Sequence, residues 1–342
     1  MMVGTIVHAR SRVLCWTKLC ESALIRIVWS KMLGCRLCQF SANSSTMDLL
    51  TKLKNKIARS RAARRVAPDR QLTEFKEWDL AETRHEGISK SGNPRWYARA
   101  GDKHVKIYKV DSQVTAQFVQ AVSGPEMNTA PFPGVLDVNG THVLAEWITG
   151  TEPEHSEGSA AGLGAVLASI HNLNVPDITG FDYPNYVGAR LRTSAGPFVE
   201  QLSDVLVRGR RAFESLEALG HRVCHPDLTL RNVVVDPEGT WWSIDNEYLG
   251  AGSWYPVDLL NAISSFSRNR KMLSAFFTGY ASHGGDLASF NRHSSALTDI
   301  WELRVTGSLL QADAVSKVLD GQKTGKTQSE LELLFDVAST AG

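Results

Sequence analysis

His225-Pro226-Asp227-Leu228-Thr229-Leu230-Arg231-Asn232, followed after an apolar run by Ile244-Asp245-Asn246-Glu247, is the stretch that decides the fold of this chain. Val233 to Val235 is a β-branched run, Asp236-Pro237-Glu238-Gly239 carries turn residues, and Thr240 to Ile244 is a second apolar and aromatic run. The spacing predicts a β-hairpin. A hairpin brings its two ends together. Asn232 enters the first strand and Asp245 leaves the second, so an amide oxygen and a carboxylate converge at one end, with Asp227 in the loop just before.

Hard oxygen donors in that arrangement suit Mg2+, which keeps several waters and takes one or two protein oxygens together with nucleotide phosphates. Asp227 is then placed to accept a hydroxyl proton or to orient an attacking hydroxyl. Upstream, Glu86 to Pro94 is a small-residue turn between an extended segment at 78–85 and the aromatic strand Arg95–Ala100. Backbone N–H groups there, at Gly87 and Ser89, can approach phosphate oxygens without side-chain obstruction. The same string also reads as an ordinary hairpin connection. The next run, His104 to Val110, is apolar and β-rich, with Lys106 and Lys109 set inside it.

The string H-x-D-x-x-x-x-N followed by I-D-x-E resembles the catalytic and metal loops of the protein-kinase-like fold. Within that fold it is most similar to the aminoglycoside phosphotransferase and choline kinase superfamily, with some likeness to lipopolysaccharide core kinases. Pro226 stands where those loops carry Gly or Arg. Two further stretches resemble the same superfamily: the helix stripe Leu163, Val166, Leu167, Ile170 ending in His171-Asn172, and Pro256-Val257-Asp258-Leu259 at a helix start.

The resemblance implies an α+β, two-lobed protein-kinase-like fold: a small antiparallel-sheet lobe at 73–150 and a mainly helical large lobe at 151–342. It implies Lys106 on the α- and β-phosphates of ATP, with Lys109 as the alternative, and the backbone at Glu146 and Ile148 reading an adenine edge between the lobes. Asn232 and Asp245 would hold Mg2+, and Asp227 would serve the acceptor hydroxyl. His225 would pack and orient its loop, His171 would be a core or cap histidine, and Asp258 would cap its helix and brace the catalytic loop. Glu247 has two readings, a carboxylate associated with the metal site or a solvated turn residue. One departure stands out. The helix expected over 111–122 carries Gln117 where a Glu holding the lysine would be sought. Three explanations stay open: a neutral Gln suffices in that role, the helix register differs, or activity has been lost.

The whole chain sets broader bounds. At 342 residues, 43% hydrophobic and 21% charged, it has the composition of a globular protein, and its net charge of +1 gives no global case for nucleic-acid binding. Charge is unevenly placed. Residues 1–46 contain a single acidic residue, Glu21, and read as a targeting peptide, a membrane-associating helix, or sequence upstream of a start at Met47. Arg26 and Lys31 interrupt the longest apolar run short of the ~18–20 residues that span a bilayer. Over 47–72, Leu49, Leu50, Leu53 and Ile57 recur at helical spacing among Lys and Arg. A basic amphipathic helix suits either an anionic membrane surface or packing on the core. Cys15, Cys20, Cys35 and Cys38 lack the spacing of a zinc ribbon. A further helix is expected near 197–219, closed by a left-handed Gly220.

The resemblance thus implies a Mg-ATP-dependent phosphotransferase acting on a hydroxyl of a small molecule such as a sugar, amino sugar or amino alcohol. The alternatives are a lipopolysaccharide-core or protein Ser/Thr acceptor, or a catalytically silent kinase-like binding module. The expected setting is cytoplasmic, with peripheral contact to the inner membrane surface through 47–65.

Overall fold

The computed structural model describes residues 73–88, 94–124, 130–195, 200, 202–310 and 324–341. The extension at 1–46, the basic segment 47–72, the four amino-terminal cysteines and Ser89 lie outside the described residues.

The small lobe is a five-stranded antiparallel sheet made of β1 (Leu80–Ile88), β2 (Pro94–Ala100), β3 (Lys103–Lys109), β4 (Val135–Asn139) and β5 (His142–Glu146), in the order β1-β2-β3-β5-β4. Its hairpins turn at Gly101 and Gly140, both at positive φ, where a side chain would be strained. Strand alternation divides the lobe's residues between two faces. Ala98, Val105, Ile107 and Leu144 pack with Phe75 on one side. Lys106 and Tyr108 belong to the opposite face, and Tyr108 joins the main core that continues into the large lobe.

Helix α1 (Gln113–Ser123) crosses between the lobes. Ser112 caps it by accepting from the Thr115 N–H at 3.1 Å, and Phe118, Val119 and Val122 are its buried stripe, packed toward β4 and β5. Residues 147–150 then link the lobes. Thr151 exchanges backbone hydrogen bonds with Val235 at 3.0 and 2.9 Å, and at Gly150 a Cβ would stand 2.5 Å from the Val235 carbonyl oxygen. Only glycine allows the linker to come this close to the hairpin strand that carries Val235.

The large lobe contains α2 (Glu157–His171), α3 (Tyr183–Ala195), α4 (Ser203–Ser215), β6 (Arg222–Cys224), β7 (Val233–Val235), β8 (Trp241–Ser243), β9 (Gly250–Gly252), α5 (Pro256–Ala262), α6 (Arg270–Ser282), α7 (Leu287–Arg292), α8 (Ser294–Leu310) and α9 (Thr324–Ala341). Strand β6 pairs with β9 and β7 with β8, both antiparallel. Among the described residues, no helix is long and apolar enough to cross a membrane.

Helices α2 and α6 meet at their backbones. A Cβ at Gly164 would lie 2.1 Å from the Phe276 carbonyl oxygen, and one at Gly279 would lie 2.2 Å from that of Ala161. Backbone cannot yield as a flexible side chain does, so Gly279→Ala should cost about 1–3 kcal/mol by overpacking. Chemical denaturation with an unchanged midpoint would refute this reading of the interface.

The helix expected near 197–219 is present as the shorter α4, Ser203–Ser215, with a 3-10 turn at Glu217–Leu219 after it. Gly220 does take a positive φ of 70, which glycine allows, while its ψ of 159 lies outside the left-handed helical range and hands the chain from that turn into β6.

Candidate active site

Strand β6 delivers the loop at 225–232. Leu228 and Leu230 are buried on either side of Thr229, and Leu228 N–H donates to the His225 carbonyl at 3.1 Å. With its leucines anchored, the loop turns the half-buried Asp227 away from the core. Asn232 N–H bonds the Thr229 carbonyl at 2.9 Å, and its side-chain Nδ2 donates to the Asp227 carbonyl at 2.6 Å and to Asp227 Oδ2 at 3.1 Å. An amide that spends its nitrogen on Asp227 leaves its oxygen as the acceptor.

The hairpin forms as the spacing predicts, in the register Val233↔Ser243, Val234↔Trp242, Val235↔Trp241. Asp236 closes its turn, accepting from the Thr240 N–H at 2.8 Å and from Trp242 Nε1 at 2.7 Å. Ile244 N–H then donates to the Asn232 carbonyl at 2.9 Å, which sets the segment carrying Asp245 beside the end of the catalytic loop.

Asp245 is the electrostatic centre of the cleft. Lys106 Nζ stands 2.9 Å from its Oδ1 and 3.1 Å from the Ile244 carbonyl, while Arg95 Nη2 stands 3.0 Å from its Oδ2. Burial alone would raise the Asp245 pKa, but the two cations outweigh it and hold the carboxyl below its ordinary value. Lys109, three residues from Lys106 on the same strand, belongs to the other face. Gln117 is exposed on α1, so the lysine's carboxylate comes from the large lobe instead.

Arg95 was not singled out from the sequence. Its Nε and Nη2 lie 2.8 and 2.5 Å from Glu247 Oε1, and Glu247 is only 3% exposed. Glu247 is therefore a buried, ion-paired carboxylate and not a solvated turn residue. A lone Arg at the start of a strand gives no periodic signal; its partner lies 152 positions away.

Asp258 braces the loop from behind. Its Oδ2 accepts from the His225 N–H at 2.6 Å and lies 3.2 Å from His171 Nε2, and His171 Nδ1 lies 2.7 Å from the Tyr280 hydroxyl. The expected cap on its own helix is not made: the N-cap residue of α5 is Tyr255, no side chain caps it, and the Asp258 carboxylate is turned to the loop at 225–232. Burial pushes the His171 pKa below 6.5 against the pull of Asp258, whose own carboxyl burial pushes up. The unfolded chain then takes up the histidine proton first as pH falls. Stability from neutral His171 is complete above about 6.5 and is lost progressively below it. Buried His225, lowered for the same reason, adds to the slope. His171→Gln should flatten the fall of Tm between neutral pH and pH 5; parallel profiles for wild type and variant would exclude this role.

The remaining candidate residues are less tightly gathered. Gly87 lies within β1, opposite Arg95, rather than in the open turn. Glu146 ends β5; its N–H is used by the Gly134 carbonyl at 2.9 Å and its side chain by Lys103 at 2.9 Å. Trp147 N–H is likewise used, by the His104 carbonyl at 3.0 Å, and Ile148 follows in the linker. Beside the linker Tyr97 stacks on His104, with ring centroids 5.4 Å apart, and meets Trp147 edge-on at 5.3 Å. A separate cleft of about 810 Å³ opens between α3, α4 and β9, and none of Lys106, Asp227, Asn232 or Asp245 lines it.

Among the described residues, no group of three His, Cys, Asp or Glu side chains gathers as a metal cage. The Asn232 and Asp245 oxygens nevertheless fit a cation that takes few protein ligands, which is the habit of magnesium.

No family model and no curated protein matches the chain. Solved structures do. The chain is similar to the microcompartment-associated aminopropanol kinase, with 19% identity and a TM-score of 0.50 over 77% of this chain and 93% of that one. It is also similar to an aminoglycoside phosphotransferase from Alicyclobacillus acidocaldarius, with 14% identity and a TM-score of 0.50 over 77% and 93% of the two chains. The fold is the two-lobed, protein-kinase-like α+β fold that these proteins share.

Proposed function

We propose that this chain is an ATP-dependent phosphotransferase that transfers the γ-phosphoryl group to a hydroxyl of a small molecule. The observation that carries the reading is the meeting, between a sheet lobe and a helical lobe, of the bonded pair Asp227 and Asn232 with the ion pair of Lys106 and Asp245. The fold supports it, since the similar structures include an aminopropanol kinase and an aminoglycoside phosphotransferase. Amino alcohols and amino sugars are accordingly the first acceptors to try.

Each residue has a distinct task. Lys106 neutralises and positions the nucleotide phosphates. The linker from Glu146 to Ile148 borders the base. Asn232 and Asp245 would hold Mg2+, which supplies charge neutralisation at the phosphoryl oxygens. Asp227 takes the acceptor proton, steadied by the Asn232 amide, and catalysis rests on positioning and electrostatics because a loose transition state needs little covalent help.

Thermal stability with and without Mg-ATP, followed by ATP consumption against a pool of sugars and amino alcohols, tests this. Magnesium-dependent stabilisation with acceptor-dependent turnover is the expected result. Binding without turnover across the pool would favour the silent module, and absence of binding would overturn the nucleotide reading.

A further inference from the structure

We propose that Arg95 is a positioning residue: through Glu247 it ties the small lobe to the segment carrying Asp245, a task that no charged side chain on α1 performs. The significance for turnover rests on the phosphotransferase reading; the tie itself does not.

Helix α1 reads QVTAQFVQAVS and has no ionisable carboxylate or cation. Whatever holds the charged groups of the cleft in place must come from elsewhere. Arg95 is the second residue of β2, and it lies opposite Tyr108 in register, on the same sheet face as Lys106. From there its guanidinium reaches across the lobes to Glu247 at 2.8 and 2.5 Å and to Asp245 at 3.0 Å.

The burial of Glu247 makes this contact more than a surface ion pair. A carboxylate that is 3% exposed cannot rely on water and must be neutralised by its surroundings. Arg95 supplies a planar fork of donors, a geometry a lysine cannot copy. Glu247 follows Asp245 by two positions, so fixing one restricts the other.

Charge adds a second reason. Lys106 and Arg95 face Asp245 and Glu247, two cations against two anions. In the proposed reaction Lys106 is needed by the phosphates and Asp245 by the cation. Arg95 and Glu247 have no such duty, so theirs is the pair that stays made while the others change partners.

The test uses the full chain and begins without nucleotide. Hydrogen exchange is followed at the amides of Ile244 and Leu249, which bond Asn232 and Asn246, with amides of α2 as the internal reference. Arg95→Met and Glu247→Gln should each accelerate exchange at those two amides about tenfold or more while α2 stays unchanged, and Arg95→Lys should recover part of the protection. With ADP added, the Mg2+ concentration needed for half-maximal binding should rise roughly 10–100-fold in Arg95→Met, the scale expected when a group that orients a metal ligand is lost. The exchanged pair Arg95→Glu with Glu247→Arg should restore much of both.

Unchanged exchange in Arg95→Met would overturn the proposal, and so would a uniform acceleration that includes α2, since that is the mark of general destabilisation. If wild type shows the local protection and loses it in the variants, yet binds no Mg-ADP, the tie stands and the phosphotransferase reading falls.

Discussion

Asp227→Asn should lower turnover by roughly 10²–10⁴-fold, the usual contribution of a general base, while leaving nucleotide affinity near that of wild type. The reason lies in how the loop is held. Asn232 donates both to the Asp227 carbonyl and to its carboxylate, and the carbonyl bond at 2.6 Å survives the substitution. Leu228 and Leu230 still anchor the loop in the core. What disappears is the negative charge proposed to take the acceptor proton. Calorimetric titration with Mg-ADP and acceptor-dependent ATP consumption, run on the same preparation, separate the two effects. A parallel collapse of nucleotide binding would show that Asp227 serves the nucleotide and that the division of tasks is wrong.

The second large effect belongs to Asp245→Asn, which should remove the magnesium dependence of nucleotide binding and lower turnover by at least about 10²-fold, the scale on which transition-state electrostatics act. Here stability changes too. Asp245 accepts from Lys106 and Arg95, and its loss leaves two cations beside Glu247 alone. Breaking a fully buried pair costs about 3–5 kcal/mol, but Asp245 is 19% exposed and its partners are 14% and 23% exposed, so about 1–3 kcal/mol is expected. Denaturant unfolding gives that number, and titration of ADP at several Mg2+ concentrations gives the other. Retained magnesium dependence in Asp245→Asn would remove this residue from the metal site.

The two substitutions differ because their residues are held by different contacts. Asp227 is held by backbone and amide contacts within one loop, so its chemistry separates from its packing. Asp245 joins two lobes, so its chemistry and the lobes' contact are lost together.

Sequence alone carried the local half of this site. The β-branched run, the Asp-Pro-Glu-Gly turn and the aromatic run compel a hairpin, and a hairpin compels Asn232 and Asp245 to share an end, whatever else surrounds them. An apolar stripe likewise announced α2. These are short-range facts, set by steric limits and periodicity within a few residues. No comparable stripe announces α3 at Tyr183–Ala195, because propensity there is weak and packing against α8 decides. Only the tertiary structure could decide the charge pairing: Arg95 with Glu247, Lys106 with Asp245, and Asp258 turned from its own helix to the His225 N–H. Coulomb attraction and desolvation act through space, so the partner of a buried charge is chosen by which elements the core brings together and leaves no mark on the residues beside it.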